Sequence, residues 1–237
     1  MRTAVGTITA LALLALGAVA WIISLRFSAT MPTNPTAFVG LWTLMMVAMM
    51  TPSVLPTVLV FATSSPAPGQ EPAPARTGLF VAGYFVAWGA LGVAIATGQH
   101  LLWPAVAAGA RWIAAAALLL AGIYQLTGWK KLCLTHCRTP LHFFLKHWRG
   151  GAGGALLMGV HHGLYCVGCC VGLMTALVTL GMMSPVWMVT VALVVLLEKI
   201  LPWGERLALP VGVAMIAAGM AIGFGWISVG MMSMKGM

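Results

Sequence analysis

The chain is dominated by apolar runs long enough to cross a bilayer. They fall at about positions 4–25, 36–62, 78–97, 105–126, 154–182, 186–201 and 207–229. A membrane span needs about 20 apolar residues, and backbone inside lipid must satisfy its own hydrogen bonds, which a helix does. The pattern therefore predicts an all-α, polytopic transmembrane helix bundle of about seven spans, forming a single integral membrane domain over 1–237. Only 6% of the 237 residues are charged, against about 25% in soluble domains, and the mean hydropathy is +1.01. A water-soluble globule, a disordered tail and a nucleic-acid module are excluded on those grounds, despite a net charge of +9.

The breaks between runs carry the topology. Ala18-Val19-Ala20 could imitate a signal-peptide cleavage site, but the run continues through Trp21, Ile22 and Ile23, which favours an uncleaved first helix. Pro52 and Pro56 interrupt the second run and predict a helix kinked or broken midway, and in a membrane such a kink often lines a cavity. A Pro-rich loop follows at 64–76. The segment 129–150 is basic and contains Cys and His. It interleaves Lys130, Lys131, Arg138, Lys146 and Arg149 with Leu141, Phe143, Phe144 and Trp148. That mixture predicts a short amphipathic segment at the interface between spans four and five. With seven spans, one side collects Arg2, Arg76, those five basic residues and Arg206, while the other has Arg26, Arg111 and Lys235. The imbalance places the amino terminus and the basic loop in the cytoplasm, at a bacterial inner membrane.

The polar inventory is soft. The chain has no Asp and three Glu, so a Ser-His-Asp triad is absent and oxygen cages for Ca or Mg are disfavoured. It has instead 17 Met, 5 Cys and 6 His. An odd cysteine count leaves at least one thiol outside any intrachain disulfide, and the chain is no small disulfide scaffold.

The fifth run concentrates these groups. At about 100° per residue, and with His162 at zero, Cys169 falls near −20°, Cys166 near +40° and Cys170 near +80°. Thiolate, imidazole and thioether donors on one helical side suit Cu(I), and the first two also suit Zn. One helix rarely encloses an ion, so other spans must contribute. Trp42, Met45, Met46, Met49 and Met50 in the second run share an arc of about 140°. The basic loop adds Cys133 and Cys137, one turn apart if helical, with His136 between them. Glu198, with Lys199 beside it, is the carboxylate inside a span, and such residues often mark a pathway. Each feature also has an ordinary packing explanation: buried Cys behaves as a small hydrophobe, Met fills gaps, and Gly159/Gly163 and Gly168/Gly172 let helices approach closely.

Three stretches carry a resemblance: Trp42 to Pro52 (W-x-x-M-x-x-A-M-M-x-P), Lys131 to Pro140 (K-x-C-L-x-x-C-x-x-P), and His162-Gly-Leu-Tyr-Cys-Val-Gly-Cys-Cys. With Leu-Glu198-Lys199-x-x-Pro202 they are similar to the predicted metal-binding integral membrane proteins of the domain-of-unknown-function 2182 family, over about residues 35 to 230. The resemblance implies that Met45, Met49, Met50, Cys133, Cys137, His162, Cys166, Cys169, Cys170 and Glu198 are the motif positions.

The sequence thus supports a membrane protein binding a soft metal ion, copper first and zinc as the alternative. Its expected core ligands are Cys166, Cys169 or Cys170, and His162, with Met45 and Met49 facing them. The expected partners are the lipid bilayer and a metal ion, not nucleic acid, and the sequence names no protein partner. No Walker A pattern and no Asp supports an ATPase. A membrane thiol-disulfide/quinone oxidoreductase is the second reading and a non-catalytic assembly subunit the third, and enzymatic activity stays open between them.

Overall fold

The computed structural model describes residues 2–27, 34–64, 73–181 and 184–227. Among them the chain is all-α: α1 (Arg2–Phe27), α2 (Pro35–Thr63), α3 (Ala73–Ala108), α4 (Ala110–Gln125), α5 (Gly128–Arg138), α6 (Pro140–His147), α7 (Gly151–Gly181), α8 (Pro185–Ile200), a 3-10 turn (Gly204–Leu207) and α9 (Ala208–Gly223).

Local chemistry sets many of the boundaries. Proline opens α2, α6 and α8, where its missing N–H costs nothing. Asn34 caps α2 by accepting from the Thr36 amide at 2.9 Å, and Thr127 caps α5 by accepting from the Lys130 amide at 3.4 Å. Gly181, at a φ of 120°, sits at the end of α7 in a conformation L side chains rarely take.

Five helical stretches are long and apolar enough to cross a membrane: Ala4–Phe27, Pro35–Thr63, Ala73–Leu101, Gly151–Gly181 and Gly204–Gly223. A sixth is formed if α4 and α5, bent by 62° at their junction, act as one broken span. The helices differ from the apolar runs in two places. Helix α3 continues past the third run through Gln99 and His100 to Ala108, and the chain restarts after Gly109. Helix α8 has 16 residues, about 24 Å at 1.5 Å per residue, short of a 30 Å hydrocarbon core. Helix α2 stays a single helix through Pro52 and Pro56. The Pro-rich segment lies mostly outside the described residues, and its end, 73–76, opens α3.

Helix α7 is the centre of the packing, against α3, α4 and α5. Its glycines make this possible. A side chain at Gly159 would run into the Phe80 carbonyl of α3, and one at Gly168 would lie 2.8 Å from the Cys133 sulfur of α5. Gly159→Ala is therefore expected to force α3 from α7. The overpacking costs about 1–3 kcal/mol, readable as a lowered thermal midpoint in detergent. An unchanged midpoint would mean the two backbones are further apart than this.

The basic segment forms two helices rather than one. Helix α5 turns Lys130, Leu134 and Cys137 inward, and α6 buries Phe143 and Phe144. Trp129, Leu132, Leu141 and Leu145 point outward. Helix α5 is fastened to α8 at both ends. The Lys130 ammonium pairs with Glu198, and the Arg138 guanidinium donates to the Leu201 and Pro202 carbonyls at the end of α8.

Candidate metal centre

The i, i+3 spacing of Cys166 and Cys169 puts both sulfurs on the inward side of α7, and α5 lies across that side. Cys137 comes from α5 to meet them. The sulfurs of Cys137, Cys166 and Cys169 all lie within 4.8 Å of one another, and all three residues are buried. Cys137 and Cys169 are 3.8 Å apart. The Cys170 sulfur stands 3.4 Å from that of Cys169. No cysteine is in a disulfide.

The spacing suits a soft ion. At a metal–sulfur distance of about 2.3 Å, three thiolates around one ion stand about 4 Å apart. The cluster needs only small side-chain adjustments to reach that. No carboxylate is part of it, so its donors are all soft.

Two polar side chains contact Cys166. The Tyr84 hydroxyl of α3 is 2.9 Å from its sulfur. The Lys199 ammonium of α8 donates to the same sulfur at 3.0 Å and reaches the Ser53 hydroxyl of α2 at 3.3 Å. Helices α3, α5 and α8 thus meet α7 at one thiol, and Lys199 ties in α2.

The other expected residues are placed as follows. His162 is buried one turn before Cys166. Its ring lies 5.2 Å from Phe143, 6.0 Å from Tyr84 and 6.1 Å from Phe80, centroid to centroid, and its Nδ1 has no hydrogen-bond partner among the described residues. It stands outside the three-sulfur group. Met45, Met49 and Met50 are buried on α2, the last two within one turn of Ser53. Cys133 is half-buried and packs over Gly168, apart from its helix-mate Cys137. Glu198 is buried with its carboxylate 2.7 and 2.8 Å from Lys130 and 2.8 Å from the Gln125 amide. It faces α4 and α5, whereas Lys199 faces the thiols.

Sequence reasoning placed Cys137 in the basic loop, outside the expected core ligands, and passed over Tyr84, Ser53 and Lys199 as site residues. Lys199 did carry a signal, being a cation inside an apolar run. Tyr84 and Ser53 carried only that of polar groups in apolar stretches.

Long apolar helices around three converging thiols define a helical protein able to hold a soft metal ion. The chain belongs to the PpoB2 family, whose model is described as a copper chaperone and matches residues 39–222. That range contains every sequence-predicted ligand, from Met45 to Glu198. The match carries the PpoB2 name and supports the metal-binding side of the resemblance that the motifs suggested. No curated protein and no solved structure matches the chain.

Proposed function

We propose that this chain is an integral membrane protein that receives, holds and passes on Cu(I). The observation that carries this reading is the convergence of Cys137, Cys166 and Cys169 from two helices into one buried group of sulfurs. The family's description as copper chaperones supports the choice of ion. The all-soft donor set and the methionines of α2 support copper over zinc, because thioethers favour Cu(I).

The proposed path has a centre and two flanks. Cys137, Cys166 and Cys169 hold the ion, with Cys170 close enough to exchange for one of them. His162 and the α2 methionines Met45, Met49 and Met50 are the neighbouring donors toward one side. Cys133, one turn from Cys137 on α5, is the neighbouring donor toward the basic segment. Several weak neutral donors near a thiolate site let an ion step from one to the next. Glu198 keeps α5 in place and stays off the ion. The membrane reading is supported by the long apolar helices and by the apolar side chains they turn outward, among them Ile8, Leu11, Val93, Leu164 and Leu209. On a soluble protein so much exposed apolar surface would drive association. By the distribution of Lys and Arg, α5 and α6 lie on the cytoplasmic side of a bacterial inner membrane.

Elemental analysis of protein purified anaerobically with reductant tests this. Wild type is expected to carry about one copper per chain, since three thiolates complete a trigonal Cu(I) site, and Cys166→Ser/Cys169→Ser should carry none. Copper retained in the variant would end the assignment. Zinc in its place would keep the site and change the ion.

A further inference from the structure

The proposed copper site has an electrostatic neighbour that its ligand chemistry does not require. Lys199 places its ammonium 3.0 Å from the Cys166 sulfur. It sits on α8 beside Glu198, yet the two side chains leave the helix in different directions, as adjacent helical residues do. Glu198 is taken by Lys130 and Gln125. The hydrogen-bond partners of Lys199 are Cys166 and the Ser53 hydroxyl, and among the described residues no carboxylate forms an ion pair with it. The carboxylates of the described residues, Glu198 and Glu205, are both bound elsewhere, Glu205 by Lys131 and Arg138.

We propose that Lys199 is a specificity-determining residue, selecting monovalent Cu(I) over divalent ions at the Cys137/Cys166/Cys169 cluster by charge rather than by ligation. This inference rests on the copper reading above. Three thiolates around Cu(I) carry a net charge of −2, and the same thiolates around Zn(II) carry −1. The ammonium attracts the cuprous complex twice as strongly. If one thiol keeps its proton the charges become −1 and 0, and the difference of one unit is the same. The preference therefore does not depend on how many protons the cluster releases.

The distance makes the effect large. A sulfur 3.0 Å from the ammonium and a metal–sulfur bond of about 2.3 Å put the charge within about 5 Å of the ion. At an effective dielectric near 20, one unit of charge difference there corresponds to a factor on the order of 10² in the affinity ratio. Without a nearby cation, burial would favour the less charged zinc complex. Three buried thiols alone are a good zinc site, so a chain that carries copper needs some such discrimination.

Tyr84 supplies the internal control. Its hydroxyl also contacts the Cys166 sulfur, at 2.9 Å, but it is neutral. Removing it weakens the thiolate for both ions alike.

The test is competition of purified, detergent-solubilised full-length protein against chromogenic chelators, for Cu(I) under anaerobic conditions and separately for Zn(II). Wild type, Lys199→Leu, Lys199→Arg and Tyr84→Phe are compared, leucine being neutral and unable to ligate. The ratio of Cu(I) to Zn(II) affinity is expected to fall at least tenfold in Lys199→Leu. It should stay within about threefold of wild type in Lys199→Arg, which keeps the charge, and in Tyr84→Phe, where both affinities drop together. If Lys199→Leu does not purify, Lys199→Gln takes its place. An unchanged ratio in the neutral variant overturns the role of Lys199, as does an equal fall in Lys199→Arg, which would make the effect one of packing. Wild type that binds no Cu(I) removes the copper reading itself, and that failure is distinguished by wild type alone.

Discussion

Cys137→Ser is expected to weaken Cu(I) binding by about 10²-fold or more, and Cys133→Ser by less than about threefold. Loss of a group that merely orients a ligand typically costs about 10–100-fold, so loss of the ligand sets the upper end of that range as its floor. The two cysteines are one turn apart on the same helix and share its inward half. Only Cys137 brings its sulfur into the group with Cys166 and Cys169. The Cys133 sulfur rests against Gly168, where α7 has no side chain. Serine is close to cysteine in size, so neither change opens a large cavity, and the comparison reports on the sulfur itself. Competition with a Cu(I) chelator under anaerobic conditions measures both variants. Equal losses would sink the three-sulfur assignment.

That contrast marks where the sequence stopped being informative. The cysteine stripe on α7 was legible, because helical period alone places Cys166, Cys169 and Cys170 on one side. Close packing at Gly159 and Gly168 was legible for the same reason. The choice between Cys133 and Cys137 was not, since period gives a face and not the depth at which another helix docks on it. Glu198 and Lys199 show a further limit. Their divergence follows from adjacency on a helix, but their partners lie 68 and 33 residues away, where only the tertiary arrangement pairs them. Hydropathy also blurred helix ends. Gln99 and His100 lower the local apolarity without breaking hydrogen bonds, so α3 runs on through them.

The second large effect is expected at Lys130 and Glu198. Their side chains are 1% and 2% exposed and 2.7 Å apart, and the Gln125 amide completes the carboxylate's hydrogen bonds. Lys130→Met leaves a buried carboxylate without its counter-charge, which costs about 3–5 kcal/mol. Glu198→Gln strands the ammonium and should cost a similar amount. Thermal midpoints in detergent are the readout, and either single variant at the wild-type midpoint would show that the pair is not buried as described. Copper binding should fall with stability, because α5 carries Cys137 seven residues beyond Lys130 and on the same face. Arg138 still holds the far end of α5 to α8, so the helix loosens rather than leaves, and the affinity loss should be about tenfold, as for an orienting partner. The double variant Lys130→Met/Glu198→Leu, with no donor at position 198, separates the two roles open to Glu198. Replacing both charges by apolar side chains removes the unpaired charge and should recover most of the stability. If Glu198 is a clamp, copper affinity returns with it. Stability that returns without copper would instead make Glu198 a ligand, as a carboxylate in an apolar run first suggests.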